Sequence, residues 1–267
     1  MLRVGILGKT DSARRKADIV NSSEIAQLVE PGADPRLLIE ASDLVVLADG
    51  DGVSRAELAT LALRRGRHVF SDWPLAADLA TNRLLMLTAE ESGVELAVNR
   101  PDRVHPAVLL LRDRAPVLTD VTLSAGRHYR FENLLTDAID LCLFLNGGSG
   151  IHRYESEAVR DEAGPFALSF SLRFHSGSLA TGRVRKTDAP PIRTVFAAGG
   201  GWSQEEDLLP SGDSSATKAY DPSKDERSFL SCIECLAKDQ PVRTALHDLQ
   251  ETIRAVGKIM TRTRGRE

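Results

Sequence analysis

Along the first hundred positions apolar residues fall in short unbroken runs separated by amphipathic stretches. Val4–Leu7 is a short apolar strand that ends at Gly8. Asp11 to about Asn21 sets Ala13, Ala17 and Val20 at helical spacing, which predicts a helix with these as inner positions. Glu24–Glu30 alternates weakly and stops at Pro31-Gly32, a strand and a turn. Asp34–Ala41 has room for a short helix. Asp43–Ala48 is continuously apolar apart from its first residue, as in a strand covered on both faces. Ser54-Arg55-Ala56-Glu57 reads as a capping box opening a helix to Arg65, with Gly66 as the residue after it. A strand at His68–Phe70, a helix at Asp78–Ser92 and a strand at Val94–Val98 complete the series. Strands alternating with helices predict a Rossmann-like, doubly wound parallel sheet over residues 1–104.

From residue 105 to residue 267 the period changes. Leu118–Ser124, Ile151–Val159, Phe166–Phe174, Ser178–Arg185 and Arg193–Ala198 alternate with period two. Phe166, Leu168, Phe170, Leu172 and Phe174 share one side, and Ala167, Ser169, Ser171 and Arg173 the other. Short turns such as His175-Ser176-Gly177 predict a mostly antiparallel sheet. A helix over Asn133–Leu145 stops at Asn146-Gly147-Gly148, and helices over Lys224–Lys238 and Thr244–Arg262 close the chain. Gly199 to about Ser223, rich in Gly, Ser, Pro and Asp, is expected to be a mobile loop. This second domain is α+β with an open sheet. Helices and a second subunit are the expected cover, so a homo-oligomer is expected.

Charge and cysteine content narrow the partners. The net charge of −4 gives no reason to expect nucleic acid or an acidic membrane. No apolar run is long enough to span a bilayer, and the first residues lack a signal-peptide core. Three cysteines argue against a disulfide framework and fit a reducing cytoplasm.

The first strand–helix turn is the candidate nucleotide site. Gly8 supplies the first fingerprint glycine, Ala13 the last small residue, and Thr10 stands where the middle glycine would let a pyrophosphate approach. Ser12 lies in the same turn. The alternative is an ordinary α/β turn that binds nothing. Gly8-Lys9-Thr10 is not a P-loop, because Arg3 stands where that motif needs glycine. Glu30, ending the second strand, is placed either to bond an adenosine ribose or to be a solvated loop carboxylate. Asp49-Gly50-Asp51-Gly52 reads best as a glycine-rich turn at the carboxyl end of a strand. Cys232-x-x-Cys235 reads as core packing. His68, His105, His152, His175 and His247 have no metal-ligand spacing, so no metal is expected. His128 sits just before a helix, as a polar strand end or as a group facing substrate.

Taken together, these segments resemble the Gfo/Idh/MocA family of oxidoreductases (glucose–fructose oxidoreductase, inositol dehydrogenase, rhizopine catabolism). The resemblance covers most of the chain and is best over residues 43–106, where the strand–loop–helix–strand course is followed almost position by position. The family's Glu-Lys-Pro falls on Asp72-Trp73-Pro74. Arg103 and Pro106 match its usual Arg and Pro, and Asn133–Gly148 its catalytic helix. The resemblance implies NAD or NADP as cofactor, with Gly8, Thr10, Ser12, Ala13, Glu30, Asp49, Asp72 and Pro74 around it. It implies a sugar, polyol or related small molecule as substrate, with Asp137, Trp73, His128 and Asp140 around that. The chain reads as a shortened, divergent member.

Departures from the family pattern cluster at functional positions. The catalytic lysine is Trp73, the catalytic histidine is Asp137, the acid after it is Ala138, and only Asp140 is retained. A base must take the alcohol proton as C–H breaks. Asp137 could do so if burial or its neighbour Asp140 raised its pKa. Trp73 cannot supply the lost cation, though its ring can stack and its N–H donate. Two functions are therefore carried forward. One is an NAD(P)-dependent oxidoreductase with altered catalytic residues. The other is an inactive member acting as ligand sensor or oligomeric partner subunit.

Overall fold

A computed structural model describes the chain except residues 31–33, 49–51, 73, 74, 76–78, 163, 210–221, 241, 243–245 and 265–267. Two compact units are present. The first comprises Met1–Val104 and Pro222–His247, the second His105–Asp221 and Asp248–Glu267.

The first unit is a five-stranded parallel sheet in the order β2-β1-β3-β4-β5. Its strands are β1 (Leu2–Leu7), β2 (Ala26–Leu28), β3 (Leu44–Leu47), β4 (His68–Ser71) and β5 (Leu96–Val98). Helices α1 (Asp11–Asn21), α2 (Pro35–Ala41), α3 (Gly52–Arg64) and α4 (Leu79–Ser92) connect them. All four residues of β3 are buried, which is why its apolar run is unbroken. Two local expectations need correcting. α3 starts at Gly52, so Ser54 lies inside its first turn and is not the cap. On α1 the inner positions are Ala13, Lys16 and Val20, and Ala17 is only half-buried. A 3-10 turn, Pro101–Val104, follows β5.

One closing helix, α7 (Pro222–Ala237), also belongs to this unit, whereas the sequence reading assigns both closing helices to the second domain. Its Phe229, Cys232 and Ile233 are buried with Val4, Leu44, Val46, Phe70 and Ala97, and the Phe70 and Phe229 rings lie 5.2 Å apart. The sheet face they cover would otherwise expose apolar side chains, which drives the docking.

The second unit holds a six-stranded mixed sheet, mostly antiparallel, in the order β11-β10-β6-β9-β8-β7. β6 (Leu118–Ala125) and β9 (Leu179–Lys186) pair in parallel. β7 (Ile151–Asp161), β8 (Gly164–Phe174) and β10 (Ile192–Gly199) are hairpin neighbours or partners of these. β11 (Trp202–Asp207) lies within the stretch expected to be a loop. It is an edge strand with almost no apolar residues, so alternation could not reveal it. Its Trp202 indole lies over Gly199, where a Cβ would come within 2.4 Å of Nε1.

Helices α5 (Pro106–Asp113), α6 (Phe131–Leu145) and α8 (Leu246–Arg264) complete this unit. α6 is buried along nearly its whole length against Val121, Leu123, Leu168, Leu172 and Val184. Gly182 on β9 sits under the Phe170 ring, which a Cβ would approach to 2.2 Å. The opposite face of the sheet is polar, with Asp120, Glu157, Ser169 and Arg183 along it.

Candidate functional site

In the first unit Gly8, Thr10, Ser12, Ala13 and Asp72, among the predicted cofactor residues that are described, lie where β1 and β4 end. Gly8 closes β1 at φ +149°, a backbone conformation that side-chain-bearing residues rarely adopt. Thr10 is the N-cap of α1, and its hydroxyl accepts the Ala13 amide at 3.3 Å. The Asp11 and Ser12 amides bond to no other described residue, leaving two donors at the positive end of an eleven-residue helix. The Asp11 carboxylate is held by Arg14 at the surface. Glu30 is exposed just after β2, with no side-chain partner among the described residues. Asp49, Trp73 and Pro74 lie outside the described residues.

Asp72, directly after β4, is the hub of this edge. Its carboxylate accepts from Lys16 Nζ at 3.2 Å, Ser12 Oγ at 3.2 Å and Asn99 Nδ2 at 3.0 Å. Lys16 also donates to Ser12 Oγ at 2.5 Å, and its side chain is 3% exposed against 24% for Asp72. Arg55 of α3 and Ser71 Oγ donate to the Asp72 carbonyl at 3.1 and 3.0 Å. One acid therefore ties the first turns of α1 to the ends of β4 and β5. Lys16 is a residue of this candidate site that sequence reasoning missed. Its signal was a lysine three positions after Ala13 and four before Val20, on the buried stripe of an amphipathic helix. Arg103, named in the resemblance, is fully buried in the 3-10 turn packed by α7.

In the second unit Asp137 and Asp140 both lie on α6, and each bonds to a partner from another element. Asp137 pairs with Arg193 Nη2 of β10 at 3.3 Å. Asp140 is buried and accepts from Thr252 Oγ1 of α8 at 3.3 Å. Arg193 was missed because nothing in sequence links position 193 to 137. The sheet register makes that link, setting Arg193 opposite Leu123 on the face that α6 covers. His128 is exposed, its ring folded over Gly126, where a Cβ would come within 2.7 Å of the imidazole.

Comparison with known proteins bears on the fold. No family model matches the chain. The dehydrogenase aclE of Aspergillus oryzae is 39% identical over 59 residues, a match spanning 22% of this chain and 16% of that protein. A probable dehydrogenase from Thermotoga maritima superposes with a TM-score of 0.85 at 14% identity, covering 100% of this chain and 98% of that one. GenD2 from gentamicin A biosynthesis, solved in complex with NAD, gives 0.79 at 14% identity over 100% and 95%. The scyllo-inositol dehydrogenase of Lactobacillus casei gives 0.75 at 12% over 99% and 96%. The fold is that of the Gfo/Idh/MocA-type dehydrogenases. At these identities the likeness is one of architecture, and chemistry has to be argued from the residues themselves.

Proposed function

We propose that the protein is an NAD(P)-dependent oxidoreductase, a divergent member of the Gfo/Idh/MocA group, acting on a sugar, polyol or related small molecule. The observation that carries this is the end of the first sheet, where Gly8, the two α1 amides without a partner among the described residues, and the Asp72 hub meet. A helix N-terminus with unbonded amides beyond a parallel strand suits a diphosphate. Thr10 turns its hydroxyl into the helix as a cap, so it does not fill the space before those amides with an unbonded polar group. NAD(P), when bound, supplies the hydride acceptor or donor. The fold of the NAD-bound GenD2 supports the same assignment by analogy.

On this reading the chain's own groups have distinct tasks. Gly8, Ser12 and the α1 amides hold the diphosphate, and the Lys16–Asp72 pair fixes the helix that presents them. Asp137 Oδ2 is the proton acceptor for the substrate hydroxyl, in the position of the family's histidine. Arg193 holds that carboxylate in place. The lysine otherwise expected beside it is absent from the sequence, since Trp73 stands there. The polar face of the second sheet, which carries both signs of charge, is the surface offered to a second copy.

The Asp137–Arg193 pair also motivates the second reading. A carboxylate committed to a guanidinium loses part of that attraction when it takes a proton. A chain built this way could bind cofactor and ligand without turnover, as a sensor or partner subunit. Titration with NADH and NADPH, read by nicotinamide fluorescence and melting temperature, tests the common part. Cofactor at about a hundred times its Kd should stabilise the fold by about 2.7 kcal/mol. No shift at millimolar cofactor would sink both readings. Turnover on sugars or polyols that vanishes in Asp137→Asn supports the enzyme, whereas unchanged turnover removes Asp137 as the base. Light-scattering mass tests the second copy, and a strict monomer refutes it.

A further inference from the structure

Besides Arg193, which holds Asp137 in the proposed chemistry, the second unit carries cationic groups that this chemistry does not use, and they converge with Arg193 at one end of its sheet. Residues 180, 182 and 184 of β9 point to the face covered by α6, so Lys186 points there too. Residues 195 and 197 of β10 point the same way, as does Arg193. Lys186 pairs with Ala125 and Arg193 with Leu123, on either side of β6. Standard strand spacing and rise put their Cα atoms about 12 Å apart, within joint reach of two long side chains. The loop from β6 to α6 adds Arg130 at the N-cap of α6, making no side-chain capping bond, and His128 beside it.

The charges here are unequally matched. Arg193 is paired with Asp137 and is 19% exposed. Lys186 is half-buried and has no side-chain partner among the described residues, and neither has the exposed Arg130. A guanidinium already oriented by a carboxylate, with an uncompensated ammonium nearby, is a preorganised receptor for an anionic oxygen group.

We propose that this end of the second unit binds a carboxylate or phosphate group of the substrate, received by Arg193 and Lys186 with Arg193 held in place by Asp137. The proposal rests on the reading of this unit as the substrate-binding part of an oxidoreductase. It makes the substrate an acidic sugar derivative or a phosphorylated one, and a neutral polyol a poor ligand.

The full-length protein is titrated at constant ionic strength with sodium D-glucuronate, inorganic phosphate, D-glucose and myo-inositol. Calorimetry and melting temperature are read for the natural chain and for Lys186→Gln and Arg193→Lys. Saturable binding of at least one anion, weakened about tenfold in each variant by loss of a charge-assisted bond, is expected. Phosphate binding alone assigns a phosphorylated substrate, and glucuronate binding alone an acidic sugar. Saturation by the neutral sugars with none by the anions overturns the proposal. So does anion binding that survives Lys186→Gln, a partly exposed substitution that leaves the core intact. NADH titration in parallel separates the two ideas. Cofactor binding without anion binding rejects only this proposal, and anion binding without cofactor binding rejects the oxidoreductase while the anion site stands.

Discussion

Replacing Asp72 with alanine removes the carboxylate that faces a nearly inaccessible ammonium. At 3.2 Å and an effective dielectric constant of 20, the Lys16–Asp72 attraction is about 5 kcal/mol before desolvation is counted. Breaking a buried pair from one side typically costs about 3–5 kcal/mol, because the remaining charge stays out of water. Asp72→Ala should fall in that range, since Lys16 is 3% exposed and keeps only the Ser12 hydroxyl among the partners described above. Lys16→Met should cost less, about 1–2 kcal/mol, because Asp72 retains Ser12 and Asn99 as donors and is 24% exposed. The double variant should be more stable than the sum of the two losses. Urea unfolding at neutral pH gives the three values, provided the slopes agree. Equal and additive losses would refute the argument, for they would mean that Lys16 reaches water on its own.

His68 Nδ1 accepts the Glu95 amide at 3.0 Å, and burial holds its pKa below the ordinary histidine value. Its contribution is full above pH about 6.5 and is lost as pH falls through the lowered folded value, because the unfolded chain takes the proton first. His68→Gln should flatten the melting temperature between pH 7 and pH 5, and an unchanged slope would reject that source. Asp43 is held below the usual carboxylate range by Arg3, so its contribution is present above the unfolded pKa and is lost on acidification through the folded one. Asp43→Asn should therefore weaken acid sensitivity below pH about 4, read by circular dichroism. Burial pushes the Cys142 and Cys232 thiols up, so a thiol reagent should label Cys235 first in the native protein and all three in denaturant. Gly182→Ala should cost about 1–3 kcal/mol by driving a methyl into the Phe170 ring, and Phe170→Leu should recover part of it.

Segments whose burial is dictated by their own residues were the readable ones. The unbroken apolar run of β3 and the alternation of β8 each describe a strand and its surroundings at once. α1 and the turn before it were readable from Gly8 and the apolar spacing. What escaped was fixed by partners distant in sequence. β11 is held by pairing to β10 and by Trp202 over Gly199, not by a pattern of its own. α5 is eight residues long and begins at a proline, too short for its period to stand out. Lys16 has the composition of a surface residue and the position of a core one, and only Asp72, fifty-six residues on, explains it. Asp137 was recognised by its place in the helix, but its chemical setting came from Arg193, a strand that the register brings alongside.

The return of α7 to the first unit has a consequence for how this chain is made. The ribosome releases all five strands of the parallel sheet before residue 105, yet Phe229, Cys232 and Ile233 complete one side of that sheet's core and emerge more than a hundred residues later. Until then Phe70 and its neighbours lack their cover. The second unit is likewise unfinished until Ala255, Ile259 and Met260 of α8 arrive. Neither half can be cut out as one uninterrupted stretch, and the two cores are closed by α7 and α8 respectively. The cover of the first sheet therefore comes from a segment made long after its strands, and until then the nascent sheet exposes apolar surface of the kind that makes partly folded chains prone to aggregate.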